Sequence, residues 1–313
     1  MRALVACEMT QIGGQVRVSK EFLKQRQAMP LEAKVRMTEA RIRAWYEHFD
    51  GDVYVSYSGG KDSTVLRHIV KGMYPGVPAV FCDTGLEYPE VRKMGVKYAD
   101  AVLKPKMNFK RVIERYGYPF PSKEQAQYIR AYKHSKSDKL RNHRLNSRYS
   151  INKRWYPLLE APFEVSDKCC EVMKKEPFRR YERETGRKGM VGTMACESNQ
   201  RAGQYMRHGC NDFEAKRPLS MPMAFWLEKD VLDYIKGEGL EYAECYGEIK
   251  EGYGFTWTTG LDRTGCMFCM FGVHLEMEPN RFQRMKETHP RQYKYCMEKL
   301  GIKDVLDYCG IPH

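Results

Sequence analysis

The chain has no hydrophobic run that approaches the roughly 20 residues a helix needs to cross a bilayer. Its amino-terminal segment, 1–8, is too short and too soon charged to predict a signal peptide. Low-complexity segments and internal repeats are also not evident. We therefore expect a cytoplasmic, globular protein that makes no membrane contact, and 313 residues are enough to bury a real core.

Acidic residues are in short supply. Lys and Arg number 53 against 40 Asp and Glu, which leaves a formal net charge of +13. Such an excess predicts a polyanionic partner, either a nucleotide or a nucleic acid. Solubility alone is the alternative explanation.

Eleven cysteines call for an explanation other than disulfides, because a reducing compartment keeps thiols free. Cys169 and Cys170 are adjacent, and Cys266 and Cys269 form a later Cys-x-x-Cys. Four thiolates can hold a zinc ion or a 4Fe–4S cluster. Adjacent side chains usually diverge, which favours the larger cluster and leaves zinc as the alternative. Packed or incidental thiols are expected at Cys7, Cys82, Cys196, Cys210, Cys245 and Cys296.

A strand, a glycine turn and a helix follow one another near residue 58. The segment 52–57 is rich in Val and Tyr, Gly59-Gly60 follows, and apolar residues then repeat at helical spacing. Asp62, Ser63 and Thr64 are predicted to supply capping oxygens, and Lys61 a mobile positive charge. The pattern predicts an anion site at the start of the helix. It is not a Walker loop, since the first Walker glycine is absent, and an ordinary turn is the alternative.

Strand-like and helix-like segments alternate from there on. They predict an α/β fold, a Rossmann-like parallel sheet flanked by helices, with ligands at the carboxyl ends of the strands. Asp83-Thr84-Gly85 follows a second strand at that edge. We predict an extension over 1–36, a nucleotide-binding domain over 37–235 and a mostly helical, cysteine-rich region over 236–313. Within the extension, 4–6 suggests a short strand and 13–14 a turn.

The loop sequence Ser-Gly-Gly-Lys-Asp-Ser, 58–63, resembles the pyrophosphate loop of the ATP pyrophosphatase and sulfonucleotide (PAPS) reductase superfamily. The segment at 83–85 is similar to that superfamily's nucleotide-bordering strand end. The resemblance implies catalytic roles for Lys61 and Asp62. It also implies an adenine-nucleotide site made of Ser56, Ser58, Gly59, Gly60, Lys61, Asp62, Ser63, Asp83, Thr84, Gly85 and Glu87.

Two further segments resemble members of this superfamily. The Cys pair followed by Lys174 and Pro177, with the later Cys-x-x-Cys, is similar to the cluster-binding pattern of adenylylsulfate reductases, although Met173 departs from it. The resemblance implies that Cys169, Cys170, Cys266 and Cys269 hold a 4Fe–4S cluster. The segment 191–201 resembles the substrate-side segment, with Met194 in place of an Arg. Substrate contacts are implied for Lys174, Glu197, Ser198 and Arg201.

The last residues are similar to the terminal Glu-Cys-Gly-x-His motif of sulfonucleotide reductases. Tyr308 stands in place of Glu, and Pro312 is inserted before His313. Cys309 is therefore a candidate nucleophile with His313 as its helper, because a terminal tail gives a thiol access. An incidental Cys-Gly pair is the alternative.

The stretch 130–154 is the most basic part of the chain, and Asp138 is its only acid. Basic residues interleaved with tyrosines suit single-stranded nucleic acid. The residues expected to contact phosphates are Arg141, Arg144 and Arg148. A solvated helix face is the alternative.

Three functions are compatible with these patterns. The first is ATP cleavage between the α- and β-phosphates with Mg²⁺, giving an adenylate and pyrophosphate, coupled to sulfur transfer and acting on an acceptor such as nucleic acid. The second is thiol-dependent reduction of an adenosine sulfonucleotide with release of sulfite, and the third a nucleotide-gated binding subunit. Lys61 favours ATP, because a lysine there suits a β/γ-phosphate tail. A sulfur-donor or thioredoxin-like protein is an expected partner, and a homo-oligomer is compatible.

Overall fold

The structure, a computed structural model, describes residues 10–12 and 15–313, with side chains from residue 18 onward. The strand predicted over 4–6, the turn predicted at 13–14 and Cys7 lie outside the described residues. Among the described residues, no helix has the length and apolar character needed to span a bilayer.

The centre of the fold is a six-stranded, mostly parallel sheet. Its strand order is β5–β4–β3–β6–β8–β7, and only the β7–β8 pair is antiparallel. Two small antiparallel pairs, β1–β2 and β9–β10, lie outside it. The strands are β1 (Thr10–Ile12), β2 (Gln15–Arg17), β3 (Val53–Tyr57), β4 (Ala79–Cys82), β5 (Ala101–Leu103), β6 (Lys188–Val191), β7 (Asn211–Asp212), β8 (Leu219–Ser220), β9 (Ile249–Gly252) and β10 (Phe255–Thr258).

Helices occupy most of the remaining chain. They are α1 (Lys20–Gln27), α2 (Leu31–His48), α3 (Lys61–Met73), α4 (Pro89–Tyr98), α5 (Phe109–Tyr116), α6 (Lys123–His134), α7 (Asp138–Asn146), α8 (Glu176–Thr185), α9 (Asn199–His208), α10 (Glu228–Gly237), α11 (Arg281–Thr288), α12 (Pro290–Lys294) and α13 (Ile302–Tyr308). Short 3-10 turns lie at Lys153–Leu159, Ala195–Glu197, Glu244–Tyr246 and Val273–Leu275, and π turns at Glu171–Lys175 and Tyr295–Lys299. The predicted α/β class, with a helical carboxyl-terminal region, is confirmed.

The central position of β3 follows from its composition. Val53, Val55 and Tyr57 are at most 1% exposed, and the strand pairs in parallel with both β4 and β6. A strand covered on both faces needs apolar residues at successive positions, and β-branched and aromatic residues supply them. The core beneath it also contains Trp45 of α2 and Leu66 of α3.

The chain forms two compact units rather than three consecutive segments. Unit 1 comprises Met1–Asp83, Tyr88–Leu103 and Phe178–Thr264, and unit 2 comprises Thr84–Glu87, Lys104–Pro177 and Gly265–His313. The division differs from the predicted domain over 37–235, because the chain leaves the sheet after β5 and returns to it only at β6. Unit 1 therefore contains the whole six-stranded sheet.

Candidate functional site

The loop 58–63 joins the carboxyl end of β3 to the amino end of α3, so the predicted strand–turn–helix arrangement is confirmed. Gly59 has a φ of +76°, and a Cβ there would lie 2.2 Å from the carbonyl oxygen of Val91. Only glycine fits, because L side chains rarely adopt this φ and the obstructing atom belongs to the backbone. Gly60 is the N-cap of α3 and has no side chain to cap the helix. A helix start of this kind presents N–H groups to an anion.

The hydroxyl groups of the loop hold its shape. Ser63 Oγ accepts from the backbone N–H of Ser58 at 3.1 Å and donates to the carbonyl oxygen of Gly60 at 2.9 Å. Thr64 Oγ1 donates to the same carbonyl at 3.0 Å. The prediction that Asp62, Ser63 and Thr64 cap the helix is wrong, because all three lie inside its first turn. The hydroxyls of Ser63 and Thr64 instead hydrogen-bond to the backbone of the loop itself.

Lys61 is buried and paired. Lys61 is only 4% exposed, whereas the sequence predicted a mobile positive charge at this position. The ammonium group contacts the carboxylate of Glu228, the first residue of α10, and donates to the carbonyl oxygen of Asp262 at 2.7 Å. The tertiary fold therefore gives this lysine two oxygen partners within unit 1.

A tyrosine hydroxyl binds a backbone N–H at the amino end of α3. The backbone N–H of Lys61 hydrogen-bonds to the hydroxyl of Tyr246, which also lies 2.6 Å from Thr264 Oγ1. A Cβ at Gly60 would approach that hydroxyl to 3.0 Å, which requires the neighbour to shift. Burial raises the pKa of Tyr246, so the phenol is neutral and acts as an oxygen acceptor.

Asp62 carries a carboxylate oxygen, Oδ1, that is buried without a hydrogen-bond partner among the described residues. Burial raises the pKa of Asp62 to about 6, against the lowering effect of Lys61. Glu228 raises that pKa further, while Arg263 and Arg201 lower it. A buried, orphaned carboxylate oxygen fits the ligand that Mg²⁺ prefers. The effect of Arg263 and Arg201 on the pKa of Asp62 indicates that both arginines lie within electrostatic range of the loop.

The end of the neighbouring strand lies at the same edge of the sheet. β3 and β4 are parallel neighbours, so Asp83, directly after β4, is on the side where the loop follows β3. Asp83 is buried and accepts two hydrogen bonds from Arg92, at 2.9 and 2.7 Å. Ser56 lies within β3 rather than in the loop. The sequence contained no signal for the guanidinium partner of Asp83.

The residues after Asp83 form a tight turn in unit 2. Gly85 has a φ of +71°. Glu87 accepts from Thr84 Oγ1 at 2.7 Å and from the backbone N–H of Thr84 at 3.1 Å. The carboxylate of Glu87 thus closes the turn, and these contacts lie within one unit of the chain.

The segment after β6 places its polar residues on the start of α9. Ser198 caps that helix by accepting from the backbone N–H of Arg201 at 3.2 Å. Glu197 forms an ion pair with Arg201, and its carbonyl oxygen accepts from Arg263 at 3.4 Å. Met194, which replaces an arginine of the similar segment, is 3% exposed and packs in the core. Arg201 therefore reaches the loop environment, and Met194 does not supply an anion contact.

The four predicted cysteine ligands come together in unit 2. Burial raises the pKa of Cys169, and Cys266, Cys170 and Cys269 raise it further. These contributions indicate that the four sulfurs lie near one another, and a bound cationic metal or cluster would favour their thiolate forms. No group of three His, Cys, Asp or Glu residues in the described part of the chain has the geometry of a single-metal site. The all-thiol donor set fits an iron–sulfur cluster.

A lysine accompanies these thiols. Burial lowers the pKa of Lys174, but Cys266 and Glu87 outweigh it, and the net shift is upward. Lys174 hydrogen-bonds to Cys266, and its ammonium lies 4.0 Å from the carboxylate of Glu87. It belongs to a π turn that directly follows Cys170, and such turns often occur at functional sites. The structure thus brings Lys174 to the cysteines.

The carboxyl-terminal residues are packed against unit 2. Ile311 is 7% exposed, and the carbonyl oxygen of Pro312 accepts from Asn280 at 2.6 Å. Burial raises the pKa of Cys309 to about 11, and only Arg154 lowers it. His313 faces Asp307 at 3.7 Å and does not contribute to the pKa of Cys309. The tail is thus anchored by Ile311 and Pro312, while Cys309 is half-buried, and its burial disfavours the thiolate.

The three predicted nucleic-acid contacts differ in their surroundings. Arg144 stacks over Tyr128 at 4.2 Å and donates to the carbonyl oxygen of Tyr149 at 3.0 Å. Arg141 lies 3.7 Å from Asp138, and Arg148 is exposed. Helix α7, which carries Arg141 and Arg144, buries none of its residues. Arg144 therefore braces the fold, whereas Arg141 and Arg148 face solvent.

A mostly parallel sheet with a glycine-rich loop between its central strand and the following helix is typical of the class of Rossmann-like nucleotide-binding proteins. Residues 52–270 match the model of the phosphoadenosine phosphosulfate reductase domain. The chain belongs to that family, as its motifs predicted, and this makes it a member of a family of sulfur and nucleotide chemistry.

Individual relatives are distant. A Vibrio campbellii protein named phosphoadenosine 5'-phosphosulfate reductase is 25% identical over 259 residues, which cover 79% of this chain and 82% of that protein. An uncharacterized protein of Methanocaldococcus jannaschii is 25% identical over 257 residues, 81% of this chain. This chain spans only 42% of that relative's length.

Two solved structures share partial similarity. One is the phosphoadenylyl-sulfate reductase of Candida auris in a phosphate complex, with a TM-score of 0.39, 16% identity and coverage of 74% of this chain and 92% of that chain. The other is the U34-tRNA thiolase of Methanococcus maripaludis with its 4Fe–4S cluster, with a TM-score of 0.36, 13% identity and coverage of 88% of this chain and 80% of that chain.

Sequence reasoning missed four residues around the loop and the adjacent strand end: Glu228, Tyr246, Arg263 and Arg92. Each reaches the site by tertiary packing rather than through a motif. Glu228 carried only the weak signal of an acid at the start of a predicted helix.

Proposed function

We propose that this protein binds ATP at the loop 58–63 and cleaves it between the α- and β-phosphates, giving AMP and pyrophosphate, in a reaction coupled to sulfur transfer. The observation that carries the proposal is the loop lysine. Lys61 and the N–H groups of the α3 start together form a site for a polyphosphate, with charge and dipole of the right sign. A sulfonucleotide has no β/γ tail to use that lysine.

In the proposed reaction, Lys61 and the α3 amides bind the β- and γ-phosphates and stabilise the charge that develops on the leaving pyrophosphate. An acceptor oxygen attacks the α-phosphorus, the bond to the β-phosphate oxygen breaks, and pyrophosphate leaves the adenylated acceptor. A sulfur nucleophile then attacks the activated acceptor carbon, and AMP leaves with the acceptor oxygen. Catalysis of this kind is mainly positioning and electrostatic stabilisation. Asp62 Oδ1 would hold Mg²⁺, which supplies charge neutralisation to the phosphates when bound. Arg201 is proposed to hold the acceptor side of the nucleotide.

The cysteines Cys169, Cys170, Cys266 and Cys269 would hold a 4Fe–4S cluster, with zinc as the alternative. Such a cluster can present or deliver sulfur when bound, or serve as a structural element. Lys174, hydrogen-bonded to Cys266, would keep the thiolate charge compensated.

The assay is incubation of anaerobically purified protein with α-labelled ATP, Mg²⁺, sulfide as the sulfur donor, and candidate acceptors such as transfer RNA and DNA. AMP and pyrophosphate in equal amounts, formed only with the true acceptor, are expected. Absence of turnover with every acceptor, together with tight ATP binding, would favour the binding subunit over the enzyme.

The second candidate function is reduction of an adenosine sulfonucleotide, which the family and the name of the Vibrio relative favour. The raised pKa of Cys309 argues against it, because the thiolate and not the thiol is the nucleophile. Release of sulfite from a sulfonucleotide with thioredoxin, abolished by Cys309→Ser, would establish this function and overturn our preference for ATP.

Contact with nucleic acid is proposed for the exposed basic face of α7 and the residues after it. Charge reversal by Arg148→Glu should weaken RNA or DNA binding and flatten its salt dependence, because each lost phosphate contact removes counterion release. Arg144→Glu is unsuitable as a test, since Arg144 braces Tyr128. Unchanged binding of Arg141→Glu/Arg148→Glu would remove this face from the proposal.

A further inference from the structure

The loop lysine has its oxygen partners before any ligand arrives. Lys61 contacts the carboxylate of Glu228 and the carbonyl oxygen of Asp262, and its backbone N–H bonds to the hydroxyl of Tyr246. Three protein oxygens thus bind the ammonium group and the backbone N–H of Lys61, which the proposed function assigns to phosphate oxygens. Only one of them, the carboxylate, carries a negative charge.

Glu228 is held in this position by a buried framework. It is the first residue of α10, and the N-cap Leu227 donates its N–H to Asp230 at 2.6 Å. Asp230 in turn pairs at 2.6 Å with Lys34, which is 1% exposed. The start of α10 is therefore fixed, whereas the side chain of Glu228 is 41% exposed and can turn toward solvent.

We propose that Glu228 is an internal competitor for the nucleotide phosphates on Lys61, so that a nucleotide with a β/γ-phosphate tail must displace it and binds less tightly than it would without it. The inference rests on the proposed function and names the residue that sets the affinity of the loop for a polyphosphate. A triphosphate places a multiply charged group on Lys61 and displaces the carboxylate. AMP has no group to place there, so the Lys61–Glu228 contact persists.

Two other roles for Glu228 give different results. A merely structural ion pair would leave nucleotide affinity unchanged when Glu228 is neutralised at constant fold. A carboxylate that binds Mg²⁺ would make neutralisation weaken ATP binding. Competition predicts that neutralisation of Glu228 strengthens ATP binding. The substitution removes a favourable Lys61–Glu228 contact from the free protein, and the ATP complex does not contain that contact.

The test compares the binding of ATP, AMP and inorganic pyrophosphate to the full chain by calorimetry, with Mg²⁺ present and at constant ionic strength. Glu228→Gln should bind ATP and pyrophosphate about fivefold more tightly, the upper range for the net value of a partly exposed ion pair. AMP binding should not change. Glu251→Gln is the matched control, because Glu251 pairs with Lys236 of the same helix at 2.8 Å.

A double-mutant cycle then assigns the effect to the lysine. In a Lys61→Met background, Glu228→Gln should no longer change ATP affinity. Weaker or unchanged ATP binding by Glu228→Gln, or an effect that persists without Lys61, would overturn the inference. If wild-type protein binds neither ATP nor pyrophosphate, the proposed function fails instead, and this inference fails with it.

Thermal unfolding of Glu228→Gln reports whether the variant keeps its fold. Should it not, Tyr246→Phe supplies an independent test, since it removes only the hydroxyl that occupies the Lys61 N–H. Tighter ATP binding at unchanged AMP binding is then expected, and weaker ATP binding would count against internal competition.

Discussion

The substitution Lys61→Met examines the central residue of the loop. Methionine has a similar length and suits a site that is 4% exposed. Its stability cost should be small, about 1 kcal/mol, because Glu228 is 41% exposed and can solvate its carboxylate once the partner is gone. The carbonyl oxygen of Asp262 loses a charged donor.

The effect on ATP should be larger. A charge-assisted hydrogen bond in a buried site contributes about 1.5–3 kcal/mol, which corresponds to a loss of roughly 10- to 150-fold in affinity. Part of that loss is offset because the variant no longer has to break the Glu228 contact. We therefore expect about 10- to 50-fold weaker ATP binding, at the lower end of that range, and little change for AMP.

Calorimetric titration with ATP and AMP measures this difference. Lys71→Met is the matched control. Lys71 lies on the same helix, but it is outside the loop sequence, and its ammonium group pairs with the carboxylate of Asp100 at 2.8 Å. ATP affinity that stays within twofold of wild type in Lys61→Met would refute the assignment of the β/γ-phosphates to this lysine.

Three further substitutions probe the loop and the cysteines. The raised pKa of Asp62 means that ionisation costs stability as pH rises from about 4 to about 6, so Asp62→Asn should gain up to roughly 3 kcal/mol over wild type across that window in urea unfolding. Gly59→Ala should lose more than about 2 kcal/mol, because of its φ and the Val91 carbonyl, whereas Gly72→Ala on α3, with open space around it, should be neutral or slightly stabilising. Cys266→Ala should lose the iron and sulfide of anaerobically purified protein. Cys296→Ala should retain them, because the pKa of the Cys296 thiol is raised by burial alone and not by the other cysteines.

The contrary outcomes are specific. A pH-independent difference between Asp62→Asn and wild type would mean that the carboxylate is not desolvated in the fold. Equal stabilities for the two alanine variants would contradict the steric reading of Gly59. A colourless protein that contains stoichiometric zinc would contradict the iron–sulfur cluster and support zinc as the metal that the cysteines hold.

The sequence was sufficient for features that depend on neighbouring residues. The strand, glycine turn and helix at 53–73 follow from β-branched residues, a conformation that only glycine adopts, and helical periodicity. The sequence Ser122-Lys123-Glu124-Gln125 has the spacing of a capping box, and helix α6 begins there, with Ser122 accepting from the backbone N–H of Gln125 at 3.2 Å. The reciprocal half of that capping box does not form, because the side chain of Gln125 accepts from the backbone N–H of Asn152 at 2.8 Å. A contact with a residue distant in sequence replaced the local one.

The charges are where sequence reasoning was least complete. Arg130 and Lys133 belong to the basic stretch, yet they pair with Asp167 at 2.9 Å and Glu164 at 2.7 Å, which lie beyond it. A count of charges along the chain cannot show such pairing, because the acids arrive through folding. The same limit explains why Lys61 was expected to be mobile.

The sequence by itself determined the family, the class of fold and the strand–glycine turn–helix at 53–73, and it singled out the set of four cysteines, because each rests on local spacing or on residue types that chemistry restricts. Tertiary structure alone decided the state of the groups at the site. It buried Lys61 against Glu228, orphaned an oxygen of Asp62 and raised the pKa of Cys309. The physical reason is that burial and long-range pairing set the charge and availability of a side chain, and neither is encoded in the residues next to it.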